Sequence, residues 1–240
     1  MTELLLDPQT YVKLITLTGL EIVLGVDNIL FISIVSNLLP ADQRTKARRI
    51  GLALALFGRL FLLFSLNLLN SLTQPLFTVL EHDVSGRDLV LGLGGLFLIY
   101  KATQEIYANV EGTPEEEKKP RVVGFASAIV QIVMLDIVFS LDSIITAIGL
   151  VDGNGSVFII GTAIVVSVVI MLFFSEYISQ FLDRHPSMKM LGLAFLLLVA
   201  VLLVAESMGT HVPREYVYFA LGFSFLVEVI NIRMRKARNK

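Results

Sequence analysis

Residues 20–30 of this chain read LEIVLGVDNIL, and residues 135–145 read LDIVFSLDSII. At a constant offset of 115 residues, five of the eleven positions are identical and Glu21 stands opposite Asp136 as a conservative pair. Each copy carries two acidic residues six positions apart: Glu21 and Asp27 in the first, Asp136 and Asp142 in the second. Apolar helices match one another by chance at Leu, Ile and Val, but not at two acids with the same spacing. Beside these acids stand further oxygen donors: the Asn28 amide and the hydroxyls of Ser140 and Ser143. Carboxylate, amide and hydroxyl oxygens together suit hard divalent cations such as Mn²⁺, Ca²⁺ and Mg²⁺. The chain has no Cys, and its three histidines (His82, His185, His211) fall in loops or at the ends of apolar runs. That disfavours Zn²⁺, Cu⁺ and Ni²⁺ as primary substrates.

The elements that must hold these acids are apolar. Of 240 residues, 55% are apolar and 17% charged, with a mean hydropathy of +0.77. A soluble domain is about 25% charged, and this composition leaves too few polar residues to cover one soluble core. Disorder is excluded for the same reason. Nucleic-acid binding is disfavoured, because basic residues gather only in short clusters beside apolar runs. The composition implies an all-α, multi-pass protein of the cell (inner or plasma) membrane, in contact with the lipid bilayer. Crossing about 30 Å of hydrocarbon takes about 20 residues of helix. Seven runs qualify: residues 12–39, 50–72, 89–107, 123–150, 156–181, 188–207 and 216–232. The third and seventh are the weakest, with charge-free cores of 12 residues each.

The loops alternate in basicity. Arg44, Lys46, Arg48 and Arg49 fall in the first loop, and Lys118, Lys119 and Arg121 in the third, with Lys101 near it. Arg184 and Lys189 fall in the fifth, and five more basic residues in the tail. The opposite side holds only Lys13, Arg87 and Arg214, so 15 basic residues face 3, with Arg59 left inside the second run. The positive-inside rule then puts the N-terminus outside and the C-terminus in the cytoplasm. The segment EGTPEEEKKP, residues 111–120, reads as a solvated cytoplasmic connector.

The two acidic copies lie in the first and fourth runs, so an odd number of crossings separates them. They must run in opposite directions, the pattern of an inverted repeat whose site lies near the midplane. The expected organisation of residues 1–240 is one transmembrane domain: repeat 1 over about 12–107, a linker over 108–121, repeat 2 over 122–207, and a seventh helix over 216–232. Residues six apart on an ideal helix are turned about 120° from one another and stand about 9 Å apart along the axis. Either the helices unwind at Gly25 and Ser140, turning both acids inward, or they stay intact and the acids form successive stations. Carboxylates in hydrocarbon cost about 2.5–3.5 kcal/mol each for Asp at a helix centre, so they face a cavity or a partner. Arg59 is the obvious counter-charge or gate.

These residues resemble the TerC-like family of integral membrane proteins, named for tellurium resistance. The resemblance rests on Glu21, Gly25 and Asp27-Asn28, and on Asp136-Ile-Val-Phe139-Ser140-Leu-Asp142-Ser143, with a tail at residues 211–231 similar to the family's last helix. It implies an inverted-repeat exporter of Mn²⁺, with Ca²⁺ also in view. The candidate metal ligands are Glu21, Asp27, Asn28, Asp136, Ser140, Asp142 and Ser143, with no resident cofactor and no enzymatic activity expected. A homo-oligomer stays open. Two rivals remain: a non-transporting scaffold that hands metal to exported enzymes, and an intramembrane aspartyl protease, which also takes one Asp from each of two helices.

Overall fold

A computed structural model describes residues 8–79, 82–111, 124–150, 156–210 and 213–238. Most of the 111–120 connector and His211 fall outside the described residues. Eight helices account for nearly all of the rest. They are α1 (Pro8–Asn37), α2 (Ala41–Phe64), α3 (Leu66–Leu72), α4 (Gly86–Val110), α5 (Phe125–Leu150), α6 (Ser156–Arg184), α7 (Pro186–Ser207) and α8 (Arg214–Arg238). Strands β1 (Pro75–Val79) and β2 (His82–Ser85) form a hairpin between α3 and α4.

Six helices, α1 and α4 to α8, are long and apolar enough to cross a membrane. The weak third and seventh runs are among them, as α4 and α8. The second run does not qualify as one helix. It breaks at Ser65, where the backbone turns to φ −95° and ψ 49°, and α3 ends at Leu72. Thr73-Gln74-Pro75 then forces an extended chain, since the residue before a proline avoids the helical region. The charge-free stretch 60–80 is therefore shared among two helices and a strand, and Leu76 and Phe77 stand exposed on β1. The basic residues assigned to the first loop also move: Arg44 to Arg49 belong to the opening turns of α2.

The chain divides into two compact units. The first comprises residues 1–75, 85–87 and 119–179, and so contains α1, α2, α3, α5 and most of α6. Contacts fix its directions. Gly51 and Gly58 of α2 face Ile132 and Ile137 of α5, so these two helices run parallel. Arg48 of α2 meets Ser179 of α6, and Gly161 of α6 faces Leu63 of α2, so that pair is antiparallel over nearly the whole of α2. Ile32, Leu63, Leu135, Leu141, Ile144, Ile164 and Met171 fill the space between the helices.

The second unit comprises residues 76–84, 88–118 and 180–240. Here α4 lies close against α7. A Cβ on Gly95 would stand 2.8 Å from the Ala200 carbonyl oxygen, and one on Gly92 would stand 2.9 Å from the Ser207 hydroxyl. The glycine-rich LGLGG of α4 therefore serves close helix approach. His185 precedes α7, and Pro186 stands in its first turn, a position where a missing N–H costs nothing. Gly209, at φ 82°, closes its far end, and α8 packs on α7 through Tyr218 and Phe195.

Candidate functional site

Residues seven apart lie on one face of a helix, about 20° from alignment. Glu21 and Asn28 share such a face on α1, and Asp136 and Ser143 share one on α5. The two faces meet. The Asn28 side-chain amide donates to Asp136 Oδ1 at 2.9 Å. Seven residues away on each helix, in opposite senses, the Ser143 hydroxyl lies beside the Glu21 carboxylate. Both contacts join positions whose numbers add to 164, so α1 and α5 are antiparallel in fixed register.

Arg59 of α2 enters between them. Its Nη1 donates to Glu21 Oε2 at 2.8 Å, its Nη2 to Asp136 Oδ1 at 2.6 Å, and its Nε to Asp136 Oδ2 at 3.1 Å. All five side chains are buried, with Glu21 2% and Arg59 3% exposed. Two carboxylates against one guanidinium leave one formal negative charge among buried side chains. Two oxygens in this cluster lack a partner: Glu21 Oε1 and Asn28 Oδ1. A buried acceptor left unpaired costs about 1–3 kcal/mol. A donor or a cation would remove that cost.

The other predicted residues lie nearby along the chain. Ser140 and Ser143 donate to the carbonyls of Ile137 and Ser140, three residues back on their own helix. Asp27 and Asp142 belong to α1 and α5, but their side chains lie outside the described residues. The register puts the Asp27 backbone level with Asp136 and the Asp142 backbone level with Glu21. The backbones of the four acidic positions thus fall on two levels about 9 Å apart. Among the described residues, no three acidic or histidine side chains converge as a metal cluster.

The helices do not unwind. Both α1 and α5 run unbroken through Gly25 and Ser140. Gly25 has a different reason: the Met171 thioether of α6 occupies the place a Cβ would take. Of the two backbone arrangements open from sequence, intact helices is the one present.

Sequence reasoning missed a second ionic cluster. Arg48, counted as a loop charge, is 4% exposed. It donates to Glu176 Oε2 at 2.8 Å, Ser179 Oγ at 2.9 Å and Thr45 Oγ1 at 3.1 Å. The signal was present: Arg48 and Arg59 are eleven residues apart, three helical turns, and so share the buried face of α2.

Residues 6–240 match the integral membrane protein TerC family. The chain is 52% identical over 230 residues to the UPF0053 inner membrane protein YgdQ of Escherichia coli, covering 96% of this chain and 95% of that one. It is 48% identical over 237 residues to a UPF0053 protein of Haemophilus influenzae, covering 98% and 99%. Against the longer UPF0053 inner membrane protein YoaE of Escherichia coli it is 44% identical over 232 residues, which is 44% of that protein's length. No solved structure matches.

Proposed function

Because this chain belongs to the integral membrane protein TerC family and is a multi-pass inner membrane protein, we propose that it exports a hard divalent cation, Mn²⁺ foremost, by alternating access. The observation that carries this reading is the buried meeting of α1 and α5. Oxygen donors from both copies of the acidic motif converge there, and Glu21 Oε1 and Asn28 Oδ1 await a partner.

The contact pattern supports an inverted 3+3 repeat. The offset of 115 carries Asn28 to Ser143 and Asp136 to Glu21, so the Asn28–Asp136 contact maps onto the Ser143–Glu21 contact. A pseudo-two-fold axis between α1 and α5 gives that result. The compact units support it too. The first unit takes the first two runs of each half, and the second takes the third run of each, α4 and α7, together with α8. A crossing by α2, which makes the count seven, is supported by its contacts along most of α6. The basic residues then put the N-terminus outside.

In this mechanism Arg59 stands in for the cargo. Its guanidinium holds Glu21 and Asp136 together when no cation is present. A divalent cation competes for the same oxygens and draws on Asp27 and Asp142 at the matching levels. Releasing Arg59 from one carboxylate lets the two repeats shift. Protonation of a carboxylate is the simplest means of coupling return to a proton gradient. Manganese and calcium share this oxygen preference, and the ranking between them comes from the family resemblance.

Proteoliposome flux with Mn²⁺, Ca²⁺ and Mg²⁺ tests the reading. Wild-type protein is expected to move Mn²⁺, and Asp27→Asn and Asp142→Asn to reduce flux at least tenfold. Unchanged flux in both variants removes the site. A wild-type protein that binds metal but moves none is a scaffold. Cleavage of a membrane peptide that is lost in Asp27→Ala would instead mark a protease.

A further inference from the structure

The opening turns of α2 and residues 169–177 of α6 enclose a groove of about 720 Å³ in the first unit. On one wall stand Thr45, Arg48 and Arg49, and on the other Val169, Phe173, Glu176 and Tyr177. Its chemistry is divided. Val169 and Phe173, one helical turn apart, are 55% and 68% exposed, an apolar strip on a helix apolar enough to span a bilayer. Tyr177 continues the strip toward the end of α6, where aromatic side chains sit at headgroup level. At the other pole are two arginines.

Their charges are not spent equally. Glu176 is bonded to Arg48 at 2.8 Å and to the Thr45 hydroxyl at 3.1 Å, which neutralises that pair. Arg49 remains as an exposed cation on the rim. Arg48 is held within the wall, its side chain 95% buried. A groove with an apolar wall and a net positive pole calls for an anionic oxygen attached to hydrocarbon.

We propose that this groove binds the headgroup of an anionic phospholipid. A phosphodiester oxygen pairs with Arg49 on the rim, while an acyl chain lies along Val169 and Phe173. Basic pockets between transmembrane helices recognise anionic headgroups in this way. A free phosphate would pair with Arg49 but leave the apolar wall uncovered, so the lipid is the better occupant. The site lies apart from the Glu21–Arg59–Asp136 cluster and does not depend on what the protein transports. Arg48 and Arg59 stand about 16 Å apart along α2.

The test uses the purified full chain in detergent. Phosphatidylglycerol is expected to raise its melting temperature and to stay bound in native mass spectra, whereas phosphatidylcholine and inorganic phosphate do neither. Arg49→Gln should keep the lipid-free melting temperature and bind phosphatidylglycerol about fivefold more weakly. Arg235→Gln, which removes an exposed arginine elsewhere, should bind as wild type. Four results overturn the proposal: equal stabilisation by phosphatidylcholine, equal occupancy by inorganic phosphate, no loss in Arg49→Gln, or an equal loss in Arg235→Gln.

Discussion

Arg59 shows what one side chain can do that a lysine cannot. Its planar fork reaches Glu21 with one nitrogen and Asp136 with two others. A lysine ammonium is a point charge and cannot hold both carboxylates in one plane. Removing one partner of a buried pair typically costs about 3–5 kcal/mol, because the remaining charge is stranded. Arg59→Met should therefore lower the melting temperature of the purified protein sharply, and Arg59→Lys should recover only part of the loss. The two acids are not equal. Asp136 accepts from Arg59 Nε and Nη2 and from Asn28, whereas Glu21 accepts a single bond from Arg59 and keeps one oxygen free. Asp136→Asn should destabilise more than Glu21→Gln in the same thermal assay, by about 1–3 kcal/mol. At this scale the acids, the amide and Arg59 were legible, because each is improbable in hydrocarbon. Their partners were not. Which oxygen Arg59 would reach depends on how α1, α2 and α5 pack, and no local pattern encodes that.

Helices were the most legible elements, since long apolar runs leave little choice. Their breaks were harder. The stretch 60–80 lacks charge throughout, but Ser65 and Pro75 divide it, and hydropathy alone does not weigh a proline heavily. Glycines carry the close approaches, and two of them offer a comparison. A methyl at Gly25 would meet the flexible end of Met171, while one at Gly95 would meet the Ala200 carbonyl and the Val204 amide, which are backbone. Overpacking costs about 1–3 kcal/mol when neighbours can shift, and more when they cannot. Gly95→Ala should therefore lower the unfolding temperature more than Gly25→Ala. Met171→Ala should restore stability to the Gly25→Ala protein and give nothing to Gly95→Ala.

Across the whole molecule, the question is how many times the chain crosses. The natural absence of cysteine makes it open to direct measurement. Single cysteines at Asp42, in the first turn of α2, and at Gln74, just after α3, mark the two ends of this segment. If α2 crosses, Asp42→Cys should react with an impermeant thiol reagent only from the cytoplasmic side and Gln74→Cys only from the opposite side. Reaction of both from one side would give an even number of crossings before α5 and reverse the relation between the two acidic copies.

The apolar composition, the helical class, the repeat of 115 residues and the oxygen donors of the two acidic motifs were all contained in the order of the residues. They follow from local quantities: transfer cost, helical period and the identity of donor atoms. Tertiary structure decided the rest. It kept α1 and α5 intact, set their antiparallel register, drew Arg59 between Glu21 and Asp136, and buried Arg48 beside Glu176. Each of those joins residues at least 38 positions apart or depends on such joins. Contacts of that range arise when apolar faces choose partners in three dimensions, and polar groups carried on those faces meet as a consequence.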